Sequence, residues 1–168
     1  MLSLKKISHK NGKIKFIADS MLGNVARKLR LFGFDTIYYK NGDDEGLLKN
    51  FRERILLTCD RELYKRCVNE GRDAIFVERP EDEVYALSDI FKELSLKPKL
   101  RAVRCTVCNG KLRKMDEGEA KNSNDIPQKA KSRYKEFYVC TNCGKVYWFG
   151  SHWINITKFN KELNDALK

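Results

Sequence analysis

From Lys13 onward, short apolar runs alternate with stretches of helical periodicity. "KIKFIAD" predicts a strand ending at Asp19, and Leu22, Val25, Ala26, Leu29 and Phe32 then recur at helical spacing until Gly33 offers a stop. "DTIYY" predicts a second strand. After the turn "KNGDDEG", Leu47, Leu48 and Phe51 mark a short helix, and "ILLT" predicts a third strand, apolar enough to be buried on both faces. A helix over residues 62–69 leads to "DAIFV", the fourth strand, and Val84, Leu87, Phe91 and Leu94 predict a helix beginning near Pro80. The strictly alternating order implies a parallel sheet with right-handed crossovers and helices on both faces. This α/β domain is expected over residues 1–97. "LSLKPKLRAVR" reads as a linker, residues 98–168 as a smaller unit, and the polar residues 116–133 as an exposed loop.

In a parallel sheet the strand ends share one edge, where open α/β sheets bind ligands. Asp19 ends the first strand, Asp43 and Asp44 precede the helix after the second, and Asp60 ends the third. Carboxylates brought together in this way suit Mg²⁺ or Mn²⁺, which favour oxygen ligands. Glu62 stands close enough to Asp60 to line the rim. Each acid also stands just before or inside the first turn of a predicted helix, where Asp serves as an N-cap, so capping is the competing role. Asp35 reads as a turn residue and residues 81–83 as a solvated helix start. Arg27, Lys28 and Arg30 on the first helix, and Arg61, Lys65 and Arg66 after Asp60, are candidate phosphate contacts as well as ordinary solvated cations.

Two C-x-x-C pairs, Cys105 with Cys108 and Cys140 with Cys143, are separated by 31 residues. Each pair can give two thiolates to one tetrahedral Zn²⁺, and four cysteines close the shell, so the site is read as structural. A redox dithiol is the alternative, but such motifs usually occur singly. A glycine follows each second cysteine closely, as tight turns favour. The net charge is +11, with 20 basic against 16 acidic residues over positions 1–100 and 14 against 7 over 101–168. A polyanionic partner fits that excess in the tail. No apolar run approaches the roughly 20 residues of a membrane span, and "MLSLKKISHKNG" lacks a signal-peptide core, so a cytoplasmic address is expected.

"FIADSMLGNVARKLRLFGFDTIYY", "NGDDEGLL", "ILLTCDREL" and "YVCTNCGKVYWFGSHW", in that order over residues 14–160, resemble the PIN-like ribonuclease domain fused to a zinc ribbon of archaea and bacteria. That family is related to the C-terminal part of the nematode mutator exonuclease. The resemblance implies a PIN-like three-layer sandwich with metal-binding roles for Asp19, Asp43, Asp44 and Asp60. Cys59 stands where the family pattern has Arg, while Arg61 is retained. In "YWFGSHW", which resembles the family's ribbon signature, Trp148 and Trp153 flank His152. These residues either stack a base, with His152 at a phosphate or at the nuclease edge, or pack together with Tyr147 against the first domain.

The function expected is therefore hydrolysis of RNA phosphodiesters by a metal-dependent ribonuclease. Asp19, Asp44 and Asp60 would bind Mg²⁺ or Mn²⁺, Asp43 and Glu62 would support them, and the basic zinc ribbon would hold single-stranded RNA. A non-catalytic RNA- or ribosome-binding module whose acids only cap helices is the alternative. A phosphohydrolase acting on small substrates would use similar acids but has no need of the basic ribbon.

Overall fold

The computed structural model describes residues 14–40, 43–101 and 103–168. The expectations for the first thirteen residues, for Asn41 and Gly42 of the "KNGDDEG" turn and for Ala102 of the linker lie outside them. The first half runs β1 (Lys15–Ala18), α1 (Gly23–Leu31), β2 (Asp35–Tyr38), α2 (Asp44–Lys49), β3 (Ile55–Thr58), α3 (Arg61–Asn69), β4 (Ala74–Phe76) and α4 (Glu83–Glu93). The strands form one parallel sheet in the order β2-β1-β3-β4. This is the α/β sandwich that the alternation predicts.

Side chains of a strand alternate between its faces, and the two cores follow from that. Phe16, Ala18, Ile55, Leu57, Ile75 and Val77 meet α1 and α4 on one face. Ile17, Leu56 and Ala74 meet Leu47 and Leu48 of α2 and Leu63 and Cys67 of α3 on the other. From β1 the chain passes through α1 to β2, then returns across β1 to β3. The order of connection therefore reverses between β1 and β3, which opens a crevice at their C-terminal ends.

Three boundaries differ from expectation. α4 begins at Glu83, not near Pro80, because the Asp82 carboxylate accepts from the Tyr85 N–H and caps the helix there. Phe51 lies beyond α2 at φ 61, outside helical space. The turn is held by buried Arg72, whose guanidinium donates to the carbonyls of Leu47 (3.3 Å), Leu48 (2.6 Å) and Phe51 (3.2 Å). Residues 116–133, expected as a loop, follow β5 (Leu112–Lys114) and contain two short helices, α5 (Glu117–Asn122) and α6 (Gln128–Arg133). A capping box between Asp116 and Glu119 starts α5, and Ile126, Ala130 and Phe137 bury a small core beneath both helices.

β5 pairs antiparallel with β6 (Tyr138–Cys140), which pairs with β7 (Val146–Tyr147). The last helix, α7 (Ser151–Ala166), leaves this ribbon and returns to the first half. Its Leu163 is fully buried in the same core as α1 and α4, with Phe159 and Leu167 packed beside it. Among the described residues no helix is long and apolar enough to cross a membrane.

Candidate active site and metal centre

Asp19, Asp43, Asp44 and Asp60 line one cleft of about 400 Å³ at the C-terminal edge of the parallel sheet, together with Tyr39 and Cys59. Asp19 is the most buried of them, 7% exposed, and caps no helix: α1 begins after Leu22, with no side-chain cap. Its Oδ1 accepts from the Met21 N–H at 2.9 Å, and its Oδ2 accepts from the Thr58 hydroxyl. The same hydroxyl oxygen accepts from the Asp60 N–H at 2.9 Å. Thr58, fully buried, thus ties the first acid to the backbone of the last. The strand "ILLT" is buried throughout, as predicted, but its final residue is polar and does this work. That polar residue ending an apolar run was the available signal.

Asp60 caps α3, its Oδ1 accepting from the N–H groups of Glu62 (2.7 Å) and Leu63 (3.1 Å). Asp43 caps α2 through both oxygens, which accept from Glu45 and Gly46, each at 3.1 Å. A Cβ on Gly46 would lie 2.5 Å from Asp43 Oδ2 and 2.6 Å from the Tyr39 hydroxyl, so only glycine lets both groups approach this first turn. Asp44 faces Arg66, 3.7 Å away. Glu62 points elsewhere: 77% exposed, it pairs with Lys65 at 2.8 Å and is not among the cleft residues. No three of the cleft acids bring their oxygens within 4.8 Å of one another. Burial pushes the Cys59 thiol up, and the charges of Asp19 and Asp60 push it further.

The six candidate cations on the helices separate by position. Arg30 is buried: its Nε donates to the Thr36 carbonyl (2.9 Å) and its terminal nitrogen to those of Thr106 (2.8 Å) and Val107 (3.0 Å). It joins the two halves and has no face left for a phosphate. Lys28 pairs with Glu83 at 2.9 Å and stands 4.0 Å from the centre of the Phe159 ring, so it joins α1, α4 and α7. Arg27, Arg61, Lys65 and Arg66 are exposed, with Arg61 lying 4.8 Å over the Phe76 ring.

The sulfurs of Cys105, Cys108, Cys140 and Cys143 all lie within 4.8 Å of one another, with Cys105–Cys143 at 3.6 Å and Cys108–Cys140 at 3.4 Å. A tetrahedron with metal–sulfur bonds of about 2.3 Å has edges of roughly 3.8 Å, so the tetrad can hold a metal such as zinc. Backbone N–H groups of Cys108, Asn142 and Cys143 reach the sulfurs of Cys105 and Cys140. Gly144 takes φ +75 directly after its knuckle, as the spacing predicts. In the first knuckle the left-handed position is instead Asn109, at φ 67. Gly110 serves a different need, since a Cβ there would lie 2.7 Å from the Cys140 sulfur.

Asp35, expected as a turn residue, is instead the first residue of β2 and joins the two halves. Its carboxylate meets Arg54 at 2.8 Å, Arg104 at 3.5 Å and the Asn109 amide at 2.8 Å. Burial would raise the Asp35 carboxyl, but bonds from Arg54 and Asn109 outweigh it and hold the group below the usual carboxylate range. Asn109 also accepts from the Thr36 N–H at 3.0 Å, and the Arg101 N–H donates to the Leu31 carbonyl at 3.0 Å. The first knuckle therefore sits where α1 ends and β2 begins. That is the sheet edge opposite the acids.

The aromatic signature stays within the ribbon. Trp148 packs on Phe137, Tyr147 reaches the Cys105 sulfur at 3.0 Å, and Trp153 meets Phe149 at 4.5 Å. The packing of these three against the first domain is not what forms; Leu163 and Phe159 of α7 make that contact. His152, exposed in the first turn of α7, lines a groove with Leu31 and Arg104, away from the acid cleft.

An α/β sandwich with acids at its switch point, carrying a four-cysteine ribbon, is the class that this fold and these sites define. The family model of the Mut7-C RNAse domain matches residues 14–160, and the chain belongs to that family. Membership in a family of RNase domains indicates a nuclease-like function with RNA as the substrate. Neither the curated proteins nor the solved structures include a significant match.

Proposed function

We propose that the protein is a metal-dependent ribonuclease that hydrolyses RNA phosphodiesters with water as the nucleophile. Asp19, Asp44 and Asp60 would hold Mg²⁺ or Mn²⁺, and Asp43 would support them while fixing α2. Asp19 carries this reading, because a nearly buried carboxylate that caps no helix is aimed into a cleft shared with acids from two other strand ends. The all-oxygen donor set fits these cations, and Mg²⁺ keeps several waters and is usually bound through one or two carboxylates, which suits acids spaced more widely than a closed cage. When bound, such ions activate water and stabilise the leaving oxygen. The protein's own part is to exclude side-chain motion: Thr58 fixes Asp19 against Asp60, and Asp43 holds α2 in place. Glu62, turned to Lys65, is left out of the ligand set. Zinc in the cysteine tetrad would be structural, and a reducing cytoplasm would keep those thiols free to bind it.

The two capped helices favour a second reading, an RNA- or ribosome-binding module without catalysis. Asn caps as well as Asp, whereas Ala does not, so Asp60→Asn removes the charge and keeps the cap. Cleavage of labelled RNA with Mn²⁺ or Mg²⁺ should vanish in Asp60→Asn while thermal stability and RNA binding persist. Equal cutting in Asp60→Asn and the wild type would overturn the ligand role. A wild type that binds RNA and never cuts it would favour the module.

A further inference from the structure

A groove of about 630 Å³ separates the ribbon from the first turn of α7, and the acid cleft makes no use of it. Phe149 stands in it 38% exposed, an unusual cost for a phenyl ring that belongs to no buried cluster. It meets Trp153 edge-on at 4.5 Å and Tyr138 at 5.6 Å, so three aromatic rings form one continuous wall. Lys129 and Arg133 of α6 and Lys145 before β7 line the same groove. Among the described residues none of these three cations forms an ion pair, and no acidic side chain lines the groove. Of the acids beyond the groove, Glu136 accepts from the Tyr138 hydroxyl at 3.3 Å and is paired with Lys114, and Asp35 meets Arg104 of the lining at 3.5 Å.

We infer that this groove binds single-stranded RNA, with bases stacked on Phe149 and Trp153 and phosphates held by Lys129, Arg133 and Lys145. The inference rests on the reading of the chain as an enzyme acting on RNA and names the form of RNA that it takes. Flat aromatic faces beside unpaired cations suit a strand whose bases are unstacked, since every base has a face to offer and every nucleotide a charge. A duplex hides those faces. An acidic peptide would match the charge but leave the rings unused. Because the groove adjoins the end of α1, a bound strand must cross the depth of the sheet, about 13 Å for a four-residue strand, to reach the acids.

The test uses the full zinc-loaded chain carrying Asp60→Asn, so that RNA survives, and reads fluorescence anisotropy of a labelled oligouridine of about 12 nucleotides, within the range such grooves cover. Phe149→Ala should weaken binding on the order of ten-fold. Replacing Lys129, Arg133 and Lys145 together by Gln should lower the slope of log affinity against log salt by about 2. Ile154→Ala, exposed on α7 outside the groove, should bind like the parent. Unchanged binding in both groove variants would overturn the inference. So would a matched duplex that binds as tightly with the same sensitivity to Phe149→Ala, or polyglutamate competing through Phe149. A chain that binds here but cuts no RNA keeps the groove and overturns only the nuclease reading.

Discussion

Asn109 joins the ribbon to the sheet, and its removal should be felt in both. Its amide oxygen accepts from the N–H of Thr36, a residue with no exposed surface, and its amide nitrogen donates to Asp35 Oδ1 at 2.8 Å. Losing the side chain leaves a buried donor unpaired, at about 1–3 kcal/mol, and removes a bond to a charged acceptor. Partial access of water makes about 2 kcal/mol the reasonable total. The backbone adds a separate effect, because φ 67 costs a non-glycine residue about 1 kcal/mol that Asn relieves in part. Asn109→Ala should therefore destabilise by about 3 kcal/mol and Asn109→Gly by about 2 kcal/mol, measured by urea unfolding of the zinc-loaded protein. Asn109→Gly as stable as the wild type within about 0.5 kcal/mol would refute the role of the side chain. The pH dependence gives a second check. The Asp35 pKa is depressed in the folded state, so its contribution is present above the ordinary Asp value of about 3.9 and is lost as pH falls through the lower folded value. The stability gap between wild type and Asn109→Gly should narrow as pH falls through that range, by the part owed to the Asp35 bond, while the part owed to the Thr36 N–H persists.

Removing zinc with a chelator should unfold the ribbon and also speed amide exchange in β2, because Arg30 and Asn109 bind the first knuckle to that strand; unchanged exchange in β2 would refute the coupling. Gly46→Ala cancels the usual benefit of replacing a helical glycine, about 1 kcal/mol: the new Cβ displaces the Asp43 carboxylate, losing a cap worth about 1 kcal/mol. Urea unfolding should then show little net change, while RNA cleavage falls sharply. Arg72→Met removes the donor to three carbonyls at the end of α2 and should destabilise by roughly 2–3 kcal/mol, with thermal unfolding as the readout.

The parallel sheet was legible because periods of 2 and 3.6 alternate cleanly through residues 14–94, and the cysteine tetrad because its spacing is self-contained. Pairings between distant residues were not. Arg30 reads as one of several cations on a helix, and only the fold reveals that the knuckle carbonyls of Thr106 and Val107 bury it. Asp35 similarly precedes a strand like any turn acid, and its partners Arg54, Arg104 and Asn109 lie up to 74 residues away. The acids at the strand ends were found because topology alone brings them together. Glu62 stands two residues from Asp60, a separation at which side chains do not face each other, and it turns to Lys65.

The two ends of the parallel strands divide the molecule's work. At the C-terminal edge Asp43 and Asp60 are positioned by the helices they cap, and Asp19 is positioned by the Thr58 hydroxyl of the neighbouring strand β3. At the other edge the ribbon is fixed by long-range bonds through Arg30, Asp35 and Asn109. A change in the ribbon therefore reaches the acids through the body of β1, β2 and α1 on which it is fixed, not directly. α7 reinforces that body, since it leaves the ribbon and buries Leu163 against the core beneath α1 and α4. Substitutions in the groove should consequently alter RNA affinity without moving the acids, whereas substitutions in the Asp35 network should lower stability before they change chemistry.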